Sequence, residues 1–170
     1  NHKAAYDATT RLINNGRKKV ALINLNNELI TMSYRTNGYI DAIADNGMKA
    51  NPDLLQQLKY SNVAEHVNEA VNKVILNNAD AIIFTTNKLG VQGVQAIVNK
   101  GKRIPEDIAV ISFDDTVAYA VARTSITAIK QPVTQMCKEA VRILMKSIDE
   151  SESNIDTEQV FLDASFIIRE

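Results

Sequence analysis

Two adjacent carboxylates, Asp114 and Asp115, follow a short apolar run at residues 108–113. The run is rich in β-branched residues, which is the pattern of a strand covered on both faces, as in a parallel sheet. In open α/β sheets, ligands bind at the carboxyl ends of such strands. The two aspartates could therefore accept hydrogen bonds from a ligand. The alternative is that one aspartate caps the following turn and the other is solvated.

Arg35 is the second residue that could contact a ligand. It lies in the first turn of a helix predicted at residues 33–46. A cation is unfavourable there because the helix dipole prefers anions at its amino end. We therefore expect Arg35 to reach away to a partner or to bind an anion or a polyol. The alternative is an ordinary solvated arginine on the surface.

The elements that must position these residues alternate along the chain. Apolar runs and helical periodicity predict strands at residues 20–25, 56–60, 79–85, 108–113, 127–129 and 160–168, and helices at residues 2–15, 33–46, 63–77, 89–99 and 132–148. Alternation of this kind predicts an α/β fold, a parallel, doubly wound sheet with helices on both faces.

Four loops leave the same edge of the predicted sheet, at residues 24–35, 60–62, 85–87 and 113–115. Their polar residues include Asn, Arg, Thr and Asp. Such a set can hydrogen-bond to hydroxyls in several directions, but it contains no obvious pair of nucleophile and base. We therefore expect a binding site and not an enzyme, with no catalytic residue.

Composition restricts the possible partners. The chain has 170 residues, 45% of them hydrophobic, and a net charge of −1, which is typical of a globular domain and too low for a protein that grips nucleic acid by its phosphates. No apolar run is long enough to span a membrane. The single cysteine, Cys137, is expected to be a small core or near-core residue, consistent with a reducing compartment.

The usual cofactor motifs are absent from the sequence. There is no glycine-rich phosphate loop and no Gly-x-Ser-x-Gly elbow. His2 and His66 are far apart and have no cysteines or clustered carboxylates near them, so a zinc site is not expected. His66 is expected on the solvated side of its helix. We expect neither a metal nor another cofactor.

Six motifs lie in a consistent order along the whole chain, at residues 12–18, 35–39, 104–108, 110–115, 126–132 and 166–170. Together they resemble the effector-binding core of the LacI/GalR family of transcriptional regulators. The resemblance implies a periplasmic-binding-protein-like core (type I), in which two subdomains enclose an effector.

The resemblance also implies which residues contact the effector. Arg35 and Asp114 match the arginine and the first aspartate of the family's effector-binding motifs, and Asn87 matches an asparagine. Asn62 falls near a position that is often aromatic in the family, so a stacking ring is replaced there. Lys88 stands where the family usually has aspartate, and we expect this to alter the cap of the following helix and not the pocket.

The matched core implies a division of the chain. Residues 1–131 and 157–170 would form the C-terminal subdomain, and residues 149–156 a linker. The helix at residues 132–148 would belong to the N-terminal subdomain, which is otherwise absent from this sequence, as is the family's helix-turn-helix DNA-binding domain. The apolar face of this helix would lack its partner, so we expect the helix to pack on another chain or to be poorly ordered.

By resemblance, the chain is the effector-sensing and dimerising part of a bacterial regulator or repressor in the cytoplasm. It would bind a small polar effector, favouring a sugar, form a homodimer, reach operator DNA only through the absent domain, and contact no membrane. The alternative is a periplasmic sugar-binding protein of an ABC-type transporter. An α/β enzyme with a carboxylate site is a third reading, which the missing nucleophile and base disfavour.

Overall fold

The structure is a computed structural model that describes residues 1–26, 29–59, 61–121, 124, 126–149 and 158–169. Its elements, in chain order, are α1 (His2–Asn14), β1 (Val20–Leu25), α2 (Ile30–Asp45), a 3-10 turn (Pro52–Leu54), β2 (Leu55–Leu58), α3 (Val63–Leu76), β3 (Ala81–Phe84), α4 (Asn87–Asn99), β4 (Ala109–Phe113), α5 (Val117–Val121), β5 (Thr127–Lys130), α6 (Val133–Asp149) and β6 (Ser165–Ile167). None of the helices in this part of the chain is long and apolar enough to cross a bilayer.

The six strands form one sheet in the order β2-β1-β3-β4-β5-β6. The first five strands are parallel, which confirms the predicted α/β architecture, whereas β6 runs antiparallel to β5. The direction of β6 departs from the all-parallel prediction. The reason is that α6 does not pack against the sheet. The strand β6 therefore starts beside the end of β5 and runs in the opposite direction.

Helices cover both faces of the sheet, as predicted. Alternate residues of β1 and β3 point to opposite sides and join two separate clusters. One cluster packs the sheet against α3 and α4, and the other packs it against α1 and α2. The members of the second cluster from α1 and α2 are Ala4, Ala5, Ala8, Leu12, Tyr39 and Ile43.

A glycine allows α1 and α2 to lie close together. A β-carbon on Gly38 would fall 2.2 Å from the carbonyl oxygen of His2, which is backbone and cannot move aside easily. The two helices therefore meet backbone to backbone, and α2 is held firmly against the face of the sheet that it covers.

The helix α6 differs from the others because none of its described side chains is buried. Large apolar residues on it are exposed, namely Val133, Met136, Val141, Leu144, Met145 and Ile148. Cys137 is also exposed, so the prediction of a core or near-core cysteine is wrong; its helix lacks the packing partner that a core position needs. Nearly all of the predicted linker lies outside the described residues, as does Tyr60, the last residue of the strand predicted at 56–60. The division into subdomains stays a prediction.

Candidate functional site

The carboxyl ends of the three central strands meet at one edge of the sheet. Ile23 of β1 is in register with Phe84 of β3, and Phe84 is in register with Ser112 of β4. The residues just beyond these, Asn24, Thr85 and Phe113, therefore lie side by side. This edge receives the predicted site residues.

Arg35 is buried at this edge, with 4% of its surface exposed. Its Nε donates a hydrogen bond to Oδ1 of Asn1 at 2.8 Å, and its Nη1 donates to the carbonyl oxygen of Thr85. Its guanidinium carbon lies 4.1 Å from the centroid of the Phe113 ring. Arg35 is thus not a solvated surface arginine, and that alternative is wrong.

The argument from the helix dipole is also wrong for Arg35. The helix α2 begins at Ile30, three residues earlier than predicted, so Arg35 lies in its second turn and not in its first. The dipole effect fades within the first turn. What directs the side chain inward is its contacts with Thr85 and Phe113.

The guanidinium of Arg35 is largely shielded from water. Burial lowers the pKa of Arg35, and the nearby carboxylate of Asp114 opposes that effect by raising it. An arginine stays protonated in either case. Among the described residues, no carboxylate lies within ion-pair distance of Arg35. Its Nη2 donates a hydrogen bond to no described residue, so this nitrogen can still donate to a ligand.

Asp114 is held in a fixed orientation at the end of β4. Its backbone is left-handed, with φ of 63°, a conformation that aspartate tolerates better than most residues. Its amide donates to the carbonyl oxygen of Ile129 at 2.9 Å, and Nε2 of Gln131 donates to its Oδ1. Within the described part of the chain, its Oδ2 has no bonded donor and can accept one from a ligand.

Asp115 has a different partner from its neighbour. Its Oδ1 accepts a hydrogen bond from Nη2 of Arg169 at 2.8 Å, and Arg169 also donates to the carbonyl oxygen of Ile126 at 3.0 Å. At the start of α5, the amide of Ala118 donates to the hydroxyl of Thr116, at 3.4 Å. The alternative of one capping and one solvated aspartate is therefore wrong.

The other two predicted site residues, Asn87 and Asn62, have contacts separate from those of Arg35 and Asp114. Asn87 is the exposed first residue of α4, and its carbonyl oxygen accepts a hydrogen bond from the hydroxyl of Tyr119 at 3.3 Å. Asn62 is exposed before α3, with a left-handed φ of 48°. It follows β2, the strand at the edge of the sheet. No described contact joins either asparagine to Arg35 or Asp114.

The structure bears out one part of the expectation for Lys88, that another residue caps α4; the part about the pocket stays a prediction. The cap of α4 is Thr86, whose hydroxyl accepts a hydrogen bond from the amide of Leu89 at 3.2 Å. An aspartate at position 88 is thus not needed to cap this helix.

The sequence reasoning missed a buried polar group beside Arg35. Asn24, Thr36 and Thr85 are 1%, 7% and 0% exposed, and Asn24 bonds to both threonines. The signal that could have revealed it is an asparagine directly at the end of an apolar strand, because a buried amide must find partners.

His66 is half-buried, and its Nδ1 is a buried atom with no hydrogen-bond partner among the described residues. The expectation that it would lie on the solvated side is thus only partly met. Among the described residues, no group of three His, Cys, Asp or Glu could hold a metal ion.

Two open depressions border the site. One, of about 510 Å³, is lined by Asp114, Asp115, Gln131 and the start of α6. The other, of about 630 Å³, has Phe113 and Phe161 among its lining residues. Asp114 and Phe113 therefore border open space, whereas Arg35 lines neither depression. The fixed carboxylate and the aromatic surface, with the buried cation over the Phe113 ring, suit binding of a polar molecule.

Known proteins resemble the chain over almost all of its length. The family model of the periplasmic binding protein-like domain matches residues 9–170. The HTH-type transcriptional regulator CelR of Thermobifida fusca is 26% identical over 96% of this chain and 47% of its own length. The HTH-type transcriptional repressor PurR of Pasteurella multocida is 29% identical over 87% of this chain and 44% of its own length.

A solved complex of the transcriptional regulator CelR with cellobiose has a TM-score of 0.88 to this chain. It is 24% identical and is covered over 51% of its length, against 99% of this chain. At that identity the likeness establishes the fold. The chain spans about half the length of the curated relatives it matches.

Proposed function

The chain belongs to the periplasmic binding protein-like domain family and, as its motifs predicted, matches the effector-binding core of LacI/GalR regulators, and we propose that it senses an effector within such a regulator. The effector is a small polar molecule, and a sugar fits best. The observation that carries this proposal is the placement of Arg35, buried over Phe113 beside the fixed carboxylate of Asp114.

A sugar presents hydroxyls that both donate and accept hydrogen bonds. Nη2 of Arg35 would donate to a ring or hydroxyl oxygen, and Oδ2 of Asp114 would accept from a hydroxyl. Hydrogen bonds to charged groups are about twice as strong as neutral ones, which helps to offset the dehydration of a polyol. The cellobiose complex of CelR supports a carbohydrate as the ligand class. Asn87 and Asn62 line the same edge and are proposed as outer contacts.

The proposed mechanism is a shift between open and closed forms of a cleft. The N-terminal subdomain, to which α6 would belong, would close over the edge that carries Arg35 and Asp114 once the effector bridges both sides. In a cytoplasmic homodimer, this closure would change the spacing of the helix-turn-helix domains and thus their affinity for operator DNA. The exposed apolar face of α6 supports this, because it is unpartnered within the described residues.

The alternative is a periplasmic sugar-binding protein of a transporter, which would use the same edge in the same way. Its support is the shared fold. The curated relatives are HTH-type regulators, which favours the first proposal. An operator-binding assay separates the two, since only a regulator's DNA affinity changes when sugar is added.

The test uses the intact protein that carries this chain. Calorimetric titration with cellobiose, ribose and inorganic phosphate would identify the ligand class. Arg35→Gln and Asp114→Asn should each weaken sugar binding about 30-fold or more, because each removes a charge-assisted hydrogen bond worth about 2–3 kcal/mol. Arg11→Gln, at an exposed arginine outside the site, is the matched control and should bind normally. The proposal is contradicted if neither cellobiose nor ribose binds, or if Arg35→Gln binds sugar as tightly as the native protein.

A further inference from the structure

The side chain of Asn24 uses its full hydrogen-bonding capacity inside the protein. Its Oδ1 accepts from the hydroxyl of Thr85 at 2.6 Å and from the amide of Leu25 at 2.8 Å. Its Nδ2 donates to the hydroxyl of Thr36 at 2.8 Å and to the carbonyl oxygen of Met32 at 3.0 Å. An amide has two donor and two main acceptor positions, and all four are occupied.

These four bonds join three elements around one arginine. Thr85 follows β3, and its carbonyl oxygen accepts the hydrogen bond from Nη1 of Arg35. Thr36 and Met32 belong to α2, the helix that carries Arg35, one residue after it and three before it. Asn24 therefore ties both the backbone of Arg35 and the acceptor of its guanidinium to the end of β1.

We propose that Asn24 is a positioning residue, which acts through Thr85 and α2 to hold the guanidinium of Arg35 where it meets the ligand. This inference deepens the proposed function, on which it rests, because Arg35 is the cation assigned there to the effector. Asn24 itself is 1% exposed and does not touch the ligand. A networked amide of this kind rigidifies the side chain that it supports, and rigid binding groups lose less entropy when a ligand binds.

The test reads the accessibility of Arg35 and needs no ligand. Phenylglyoxal modifies arginines, and peptide mass spectrometry gives the rate at each one, measured on the whole protein under conditions where all variants are folded. In the native protein, Arg35 should react at least about tenfold more slowly than the exposed Arg11, a difference equivalent to about 1.4 kcal/mol. Thr85→Val removes the donor to Asn24 and should speed the reaction of Arg35 about fivefold.

Two matched variants distinguish positioning from a loss of stability. Thr85→Ser keeps the hydroxyl and should restore slow modification of Arg35. Thr9→Val removes the hydroxyl of another fully buried threonine, which bonds the carbonyl oxygen of Ala5 in α1, and should leave the rate at Arg35 unchanged. Asn24→Ala should act like Thr85→Val, but more strongly.

The inference is overturned if Thr85→Val leaves Arg35 as protected as in the native protein, or if Thr9→Val exposes it equally. A second readout is cellobiose binding, where Thr85→Val should weaken affinity about fivefold and Thr85→Ser and Thr9→Val should not. If the native protein binds no sugar while the modification rates behave as expected, the proposed function fails and the positioning of Arg35 by Asn24 stands.

Discussion

The guanidinium of Arg35 lies over the ring of Phe113, with its central carbon 4.1 Å from the ring centroid. Arg35 is carried by α2, and Phe113 ends β4, so the contact joins two elements that are distant in the chain. A buried cation on an aromatic face is favourable by about 2 kcal/mol. The ring covers one side of the guanidinium, Nε and Nη1 donate to Asn1 and Thr85, and Nη2 is left for a ligand.

Phe113→Leu should weaken sugar binding about tenfold and lower the free energy of unfolding by about 2 kcal/mol, because it removes both the cation–π contact and core packing. Calorimetric titration and urea unfolding measure the two effects. Phe84→Leu, at another fully buried phenylalanine of the same sheet, is the control and should lower stability without changing affinity. Equal loss of affinity in both variants would show that Phe113 acts only through general stability.

The pair of Asp115 and Arg169 should stabilise the loop after β4. Its side chains are only 26% and 22% exposed, and the pair is 2.8 Å apart. A double-mutant cycle with Asp115→Asn and Arg169→Met should give a coupling energy of about 1 kcal/mol in urea unfolding, since partial burial reduces screening. The pair of Asp107 and Arg103, whose arginine is 70% exposed, is the control and should give a smaller coupling. A coupling no larger than that of the control would refute a stabilising role for Arg169.

Gly38→Ala should force α1 and α2 apart. The added β-carbon would meet the carbonyl oxygen of His2 at 2.2 Å, so the free energy of unfolding should fall by about 2–3 kcal/mol despite the better helix propensity of alanine. Asn37→Ala, at the exposed neighbouring position of α2, is the control and should be neutral or slightly stabilising. Thermal and urea unfolding are the measurements, and equal stability of the two variants would contradict the close approach.

Tyr39 should make the protein sensitive to alkaline pH. Burial raises the pKa of Tyr39 to about 12, and its hydroxyl donates to the carbonyl oxygen of Val20 at 2.9 Å. Because the folded pKa exceeds the unfolded value of about 10, its contribution is fully present below pH 10 and is lost as the pH rises from about 10 to 12. At most, about 2–3 kcal/mol is lost in this window.

The Tyr39→Phe variant lacks the titrating hydroxyl. Between about pH 10 and pH 12, its free energy of unfolding should therefore fall less than that of the native protein. Urea unfolding at pH 9 and at pH 11 measures the difference, with Tyr34→Phe, at an exposed position, as the control. Parallel pH profiles for the native protein and Tyr39→Phe would contradict the assignment.

The division into subdomains predicts that α6 contributes little to the stability of this chain by itself. Leu144 is 59% exposed, so Leu144→Ala should change the free energy of unfolding of the isolated chain by less than about 0.5 kcal/mol. In the intact protein, the same substitution should cost about 2–3 kcal/mol, because the N-terminal subdomain would cover that face. Leu12→Ala, at a residue that is 4% exposed, should be costly in both proteins. A small effect of Leu144→Ala in the intact protein would contradict the assignment of α6.

The amino-acid sequence by itself determined the order and type of most elements. The bounds of β1 agree fully with prediction, and those of β4 and α3 differ by one residue, because unbroken apolar runs and helical periodicity are local signals. The same signals located Asp114 at the carboxyl end of a strand. They missed α5 and the 3-10 turn, which are too short to show a period.

Only the tertiary structure decided what the polar residues do. Arg35 and Asp114 could be named from their motifs, but the burial of Arg35 depends on Phe113 and Thr85, which reach it only when the sheet assembles. Asp114 and Asp115 are neighbours in sequence, yet their side chains take separate partners, because Gln131 follows β5 and Arg169 follows β6. The exposure of α6 and the reversed direction of β6 likewise depend on where each element finds apolar surface to cover, and no local pattern contains that information.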